Sequence, residues 1–294
     1  MEIPIKTFEA LLGKSESSTA SFTNVSSAAA SSSSSLSGSS SSSVGVLEDI
    51  LSVVKQVFTN FPEMALNKQK TSKKTLLHHL VFASRNIVTL GYIRIFYELY
   101  PQTFSMQDSY GGLPMHWAVL NNNPSMELLQ LLHQFYPMGV ETPDTKGNLP
   151  LHWAVNQDNP DIQSVKYLIS LFHPALSTPS SDGSLPLHCC VDRESPSKLA
   201  VEALLEAHPQ AASVFSSDGW LPLHRCVARV KSCKDTAKLL IDASPSSIMC
   251  TTPTGQTAMH LAADFSQPNT QMVKLLIKRC PESVQIQDSE VPTH

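Results

Sequence analysis

The chain has 294 residues, 41% of them hydrophobic and 16% charged, and its 21 basic and 25 acidic side chains leave a net charge of −4. So balanced a chain lacks the strong field of a dedicated binder of nucleic acid or anionic membrane. Its longest apolar runs are too short, and too often broken by histidine or charge, to span a bilayer.

Met1-Glu2-Ile3-Pro4 has neither the basic start nor the apolar core of a secretory signal. The six cysteines, Cys189, Cys190, Cys226, Cys233, Cys250 and Cys280, are therefore expected as reduced thiols in the cytoplasm, with the nucleus as a second compartment. Residues 15–43 contain 17 serines in 29 positions. Such a stretch buries too little apolar surface to offset its ordering entropy, so 1–45 is expected to be a disordered tail. A transit peptide has similar serine content, but Glu2, Glu9 and Glu16 against two lysines oppose that reading.

Val46 to Phe61 has the spacing of one amphipathic helix, and 46–66 is expected to be an N-terminal cap. Lys68-Gln69-Lys70-Thr71-Ser72-Lys73-Lys74 is the one dense basic run. It reads as a solvated loop first, and as a nuclear-import signal or a phosphate contact second. A degenerate unit over 67–106 includes Thr75-Leu76-Leu77-His78 and ends near Leu99-Tyr100-Pro101.

From there the chain repeats. His116, His152, His188, His224 and His260 stand 36 residues apart, in Leu113-Pro114-Met115-His116, Leu149-Pro150-Leu151-His152, Leu185-Pro186-Leu187-His188, Leu221-Pro222-Leu223-His224 and Thr257-Ala258-Met259-His260. Gly111, Gly147, Gly183, Gly219 and Gly255 precede these phrases by two positions. Pro101, Pro137, Pro174, Pro209, Pro245 and Pro281 mark the same period from the other end of each unit. Two landmarks with one period indicate a solenoid of supersecondary units, placed at about 107–142, 143–178, 179–214, 215–250 and 251–286.

Within one unit, Asp144 to Asn148 is a turn and Pro150 opens a short helix through Val155. Pro160-Asp161 opens a second helix with its apolar stripe at Ile162, Val165, Leu168, Ile169 and Phe172, which Pro174 is expected to end. Ala118, Ala154, Cys190, Cys226 and Ala262 put a small side chain two positions after each histidine, where helices must approach closely.

The Leu-Pro-Leu-His phrase resembles the Thr-Pro-Leu-His signature of ankyrin repeats. That resemblance implies an all-α solenoid of helix–loop–helix units. It also implies a protein-interaction module in which turn tips and the exposed side of each first helix line a concave face. The chain departs from the family in its period (about 33 is usual), in Leu for Thr in four of five clear copies, and in Pro where the family has Gly-Ala after the second helix. The resemblance implies a hydroxyl–imidazole bond, so in the Leu units the ring must find other partners.

Residues 287–294, Gln287 to His294, match the start of a further unit in phase, and a longer protein is expected from that. Carried over position by position, the concave face would include Tyr110, Lys146, Asn148, Asp182 and Trp220 at the tips, and Arg193, Arg229 and Phe265 on first helices. These vary from unit to unit, and aromatic and arginine side chains are the types that anchor interfaces. Trp117 and Trp153 read as partly buried framework.

The five repeated histidines read as structural, since neutral imidazole in the first turn can bridge backbone groups of its own and the adjacent turn. Evenly spaced copies suit no acid–base mechanism, and no catalytic residues are assigned. His188-Cys189-Cys190 and His224-Arg225-Cys226 resemble metal ligands, but equivalent positions in stacked units lie roughly 8–10 Å apart, while zinc needs ligands within ~2.0–2.3 Å. No metal or cofactor is expected, and no small-molecule substrate. The expected partner is a protein. The alternative is a regulatory or targeting region of a larger enzyme or channel whose active domain lies beyond the C-terminus.

Overall fold

The computed structural model describes residues 40–83, 87–120, 124–229, 234–263 and 269–285. Most of the serine tail, Phe265 and the 287–294 segment lie outside the described residues. Contacts divide the chain into Met1–Asp49 and Ile50–His294. Of the first unit, only the helical residues 40–49 are described.

The first helix, α1, runs Ser40–Asn60, beginning six residues before the hydrophobic pattern does, inside the serine run. Serine tolerates a helix even though its propensity does not favour one. Phe61 breaks it before α2 (Pro62–Leu66), whose proline occupies the first turn, where no N–H is needed. Within Ile50–His294 the first helical pair is α3 (Leu76–Ala83) and α4 (Ile87–Leu99), and the C-terminal half of α1 packs on α4. Phe58 packs edge-on against Phe96 at 4.8 Å, and both are wholly buried. A Cβ on Gly91 would come within 2.7 Å of the Leu51 side chain, so this glycine lets α1 lie close on α4. Tyr100 donates its hydroxyl to the Phe58 carbonyl, and Lys55 pairs with Glu98 at 2.6 Å.

Five more helical pairs follow in chain order: α5 (Pro114–Val119) with α6 (Met126–Phe135), α7 (Pro150–Val155) with α8 (Ile162–Leu171), and α9 (Pro186–Val191) with α10 (Lys198–Ala207). Then come α11 (Pro222–Ala228) with α12 (Lys234–Ala243), and α13 (Ala258–Ala262) with α14 (Thr270–Arg279). Each first helix contacts its own second helix and the first helix of the next unit, and successive second helices contact one another, so the array is stacked two layers deep. No named strand occurs among the described residues; Thr251 and Thr257 form an isolated bridge.

Local chemistry sets these boundaries. Proline stands at the first position of α5, α7, α9 and α11. Three second helices start on side-chain caps: Asp161 accepts from the Ser164 N–H, Ser197 from Ala200 and Asn269 from Met272.

The expected stop at Pro174 is corrected. α8 ends at Leu171, and the proline sits instead inside a 3-10 turn, His173–Leu176. Its counterparts open the turns Pro101–Ser105, Pro137–Val140, Pro209–Ser213, Pro245–Ile248 and Pro281–Gln285. A fixed φ near −65° suits the start of such a turn as well as it suits a helix. These prolines therefore redirect the chain toward the next unit.

The core is a column of leucines. Leu113, Leu149, Leu185 and Leu221 before the prolines, and Leu128, Leu129, Leu168, Leu204 and Leu240 on the second helices, are all 2% exposed or less. Each contributes about 1.5–3 kcal/mol on burial. The small slot holds Ala118, Ala154, Cys190, Cys226 and Ala262, all buried, and burial pushes the Cys190 thiol up to about 12. In this slot the small thiol packs as alanine does in the other units.

Candidate interaction face

Each tip is built around one buried polar residue. Asp108 Oδ1 accepts from the backbone N–H groups of Tyr110 and Gly112, both at 2.8 Å, and its Oδ2 accepts from the Trp117 indole at 3.0 Å. Asp144 does the same for Lys146, Asn148 and Trp153. In the next two units Ser180 and Ser216 take that place and lie against Asp182 and Asp218, at 2.6 and 2.5 Å. Gly147 sits at φ 76°, in left-handed space, and a Cβ there would lie 2.8 Å from the Ser181 amide nitrogen.

That close approach permits a relay between tips. The N–H of Ser109 donates to the Ser72 carbonyl, Thr145 to Tyr110, Ser181 to Lys146 and Ser217 to Asp182, at 2.8–3.0 Å. Pro253 stands where the next donor would be and has no N–H.

The histidines clamp the units together. Nδ1 of His116 accepts from the Leu113 N–H at 3.1 Å, so the ring proton is on Nε2, which donates to the Asn148 carbonyl of the following unit at 3.1 Å. His152 bridges Leu149 to Ser184, and His188 bridges Leu185 to Trp220, in the same way. His78 joins Thr75 to Gly112, and His224 joins Leu221 to Cys250. Thr75 and Thr257 add the hydroxyl contact to Nδ1, at 2.8 Å, that the Leu units lack. Burial lowers His78, His116 and His188 to about 4, and lowers His152 and His224 too. All five rings are neutral near pH 7, with both nitrogens engaged.

The candidate partner-binding residues divide. Tyr110 is 61% exposed, Lys146 and Asp182 are exposed, and their backbones are fixed by the tip bonds. Asn148 belongs to the framework, because its amide lies 3.1 Å from Asp144 Oδ2 and its carbonyl receives His116. Trp220 is half-buried, its ring edge-on to His224 at 6.2 Å.

Arg193 and Arg229, read from the sequence as open anchors, each reach back to a carboxylate of the previous unit. Arg193 pairs with Asp158, and Arg229 with Asp192 through Nε at 2.8 Å and through Nη2. Arg225 completes the network, at 3.2 Å from Asp192 and 2.9 Å from Asp218. The spacing of 35–37 residues between Arg193 and Asp158, and between Arg229 and Asp192, is the repeat period itself.

Sequence reasoning missed Phe82. It stands four residues after His78, in the register of Leu120, Asn156, Asp192 and Ala228, and aligning the degenerate unit on its histidine exposes it. Phe82 is 49% exposed and edge-on to Trp117 at 5.8 Å, and Trp117 is edge-on to Trp153 at 5.9 Å. Two open recesses lie on this face. One, of about 130 Å³, is lined by Leu120, Asn148, His152, Trp153, Asn156 and Cys189. The other, of about 260 Å³, is lined by Asp192, Asp218, Trp220, Arg225, Ala228 and Arg229.

Residues 115–211 and 194–288, more than half of the chain, match the family described as Ankyrin repeats (3 copies). The chain belongs to the ankyrin-repeat family. No curated protein sequence matches it significantly. Among solved structures it is similar to one chain in the complex of the predatory endopeptidase Bd0816 from Bdellovibrio bacteriovorus with the immunity protein Bd3460. That match has 18% identity over 72% of this chain and 99% of the other, with a TM-score of 0.56, and it supports the fold alone. Ankyrin repeats are protein-interaction modules, typically non-catalytic. Among the described residues no helix is long and apolar enough to cross a membrane.

Proposed function

We propose that this ankyrin-repeat chain is a scaffold or adaptor that binds a partner protein through its tips and first-helix face, with no catalytic role. The observation that carries this reading is Tyr110. A large aromatic side chain is 61% exposed at a tip whose backbone N–H and C=O are both already bonded, to Asp108 and Thr145. The framework is satisfied without the ring, so the ring is available to a partner. Because the tips are tied to one another, such a surface loses little conformational freedom on binding. The inward-turned, neutral histidines and the protonated Cys190 thiol offer neither an acid–base pair nor a nucleophile.

The test is affinity capture from native lysate, comparing wild type with a Tyr110→Ala, Trp220→Ala, Arg229→Ala variant of matched melting temperature. A protein retained only by wild type supports the reading and names the partner. Equal retention moves the site off this face.

A further inference from the structure

The two ends of the face differ in chemistry. From the degenerate unit to the second clear one, the tips carry Lys68, Lys70, Lys73, Lys74 and Lys146, all exposed except the half-buried Lys74. The two tip carboxylates there, Asp108 and Asp144, are buried and bonded to backbone and indole N–H groups. Their charge is turned away from solvent. Lys68 donates to the Gln107 carbonyl at 3.1 Å, Lys70, Lys73 and Lys146 are exposed, and no matching set of surface carboxylates stands at these tips among the described residues. In the next two units the pattern reverses: Asp182 and Asp218 are the exposed tip charges, and the arginines beside them are paired.

Beside the lysines runs the apolar strip. Phe82, Trp117 and Trp153 follow one another at 5.8 and 5.9 Å, and the strip ends in the recess containing Leu120 and Cys189. Lys74 Nζ lies 3.6 Å from the Trp117 ring centre, so one ammonium is already seated on the strip. Both indole N–H groups are used inward. What the strip offers a visitor is ring edge and hydrocarbon, without a donor.

We propose that this end of the face binds an acidic segment of a partner protein that also carries large apolar side chains. The claim rests on the protein-binding reading above and gives the partner its chemistry. The carboxylates would meet Lys68, Lys70, Lys73 and Lys146, while a leucine or aromatic side chain covers Phe82 and Trp117 and enters the recess beside Trp153. Opposite charge steers such an encounter and rejects basic competitors. A single-stranded nucleic acid would also seek lysine and aromatic groups, but it stacks its bases on open ring faces. Here the rings stand at 74–81° to one another, edge against face, and one face of Trp117 is taken by Lys74.

The test is selection of a random dodecapeptide display library on the full chain. The recovered peptides are then synthesised with fluorescein and titrated by anisotropy. Peptides enriched in Asp and Glu together with Leu, Phe or Trp are expected. Their affinity should fall about tenfold or more in a Lys68→Glu, Lys70→Glu, Lys73→Glu variant, and comparably in Phe82→Ser, with no change in Lys166→Glu, an exposed lysine on the second helix α8. Lys70→Gln with Lys73→Gln serves as the milder charge variant if the reversal lowers the melting temperature. Four results would each overturn the proposal: no recovered peptide, a basic or uncharged consensus, affinity indifferent to the lysine variants, or tighter binding of a single-stranded DNA of similar length. If the lysate partner is still lost from the Tyr110, Trp220, Arg229 variant in any of those cases, the protein-binding reading stands and only the acidic partner falls.

Discussion

The units that begin at Asp108 and Asp144 and the unit that begins at Ser216 solve one problem with different physics. In the first two, the residue after the histidine is tryptophan, and a buried carboxylate holds its indole N–H. In the third, that residue is Arg225, and its guanidinium lies between Asp218, 53% exposed, and Asp192, 28% exposed. The first solution sits out of reach of counterions. The second holds its guanidinium at 16% exposure but leaves the carboxylate partners partly in water, where salt screens them more. The comparison shows that the 36-residue framework fixes a position and leaves the interaction at that position free to vary, so adjacent stretches of one surface can differ in polarity on a common backbone.

The largest expected effect is one the two regions share. His116 stands beside tryptophan and His188 beside the arginine network, yet burial holds both, with His78, at about 4. Between pH 6.5 and 4 the unfolded chain takes up protons that the folded chain refuses, so stability is full above about 6.5 and falls as the pH drops through about 4. Each ring contributes on the order of 3 kcal/mol to that loss. Urea midpoints measured from pH 7.5 to 4 should fall steeply, and equally at low and high salt. A flat profile would remove the neutral clamp.

Next in size is Gly147→Val. A β-branched residue at φ 76° is strained, and its Cβ meets the Ser181 amide that bonds across to Lys146, so a loss of about 3 kcal/mol is expected in the urea midpoint.

The sharper contrast lies between Trp117→Phe and Arg225→Met. The first strands a buried oxygen of Asp108 and should cost about 2 kcal/mol, independent of salt. The second breaks a part-buried network whose carboxylates reach water, and should cost about 1 kcal/mol, shrinking in concentrated NaCl. Equal salt dependence for the two would collapse the distinction. Arg229→Ala, half-exposed and sharing Asp192 with Arg225, should move the midpoint by no more than a few tenths of a kcal/mol, so binding can be tested there without unfolding.

Legibility in the sequence tracks the range of the forces involved. Helix starts are local: a proline at the first position and a glycine turn before it locate Pro150–Val155 from the residues alone. The end of α8 is ambiguous in the residues because Pro174 is equally at home in a 3-10 turn, and only the path to the next unit decides between them. The early start of α1 at Ser40 is hidden because serine carries no periodic apolar signal. The second partner of each clamp lies in the following unit, 32 residues on in the case of His116 and Asn148, and exists only once the units stack. Arg193 and Arg229 look available in the sequence for the same reason, since composition shows the guanidinium and stacking shows the aspartate. Phe82 escapes notice because its unit has drifted from the phrase that marks the others.

The junction between the fourth and fifth units differs from those before it. His224 reaches Cys250, 26 residues on where His116, His152 and His188 reach 32, and Pro253 interrupts the relay of tip amides. Two of the ties that couple each unit to the next are thus altered or missing at one seam. In a linear array, opening begins where nearest-neighbour coupling is weakest. The amide protons of α13 and α14 should therefore exchange with solvent sooner than those of α7 and α8, and the last unit should peel away as a separate cooperative element while the rest of the stack remains intact.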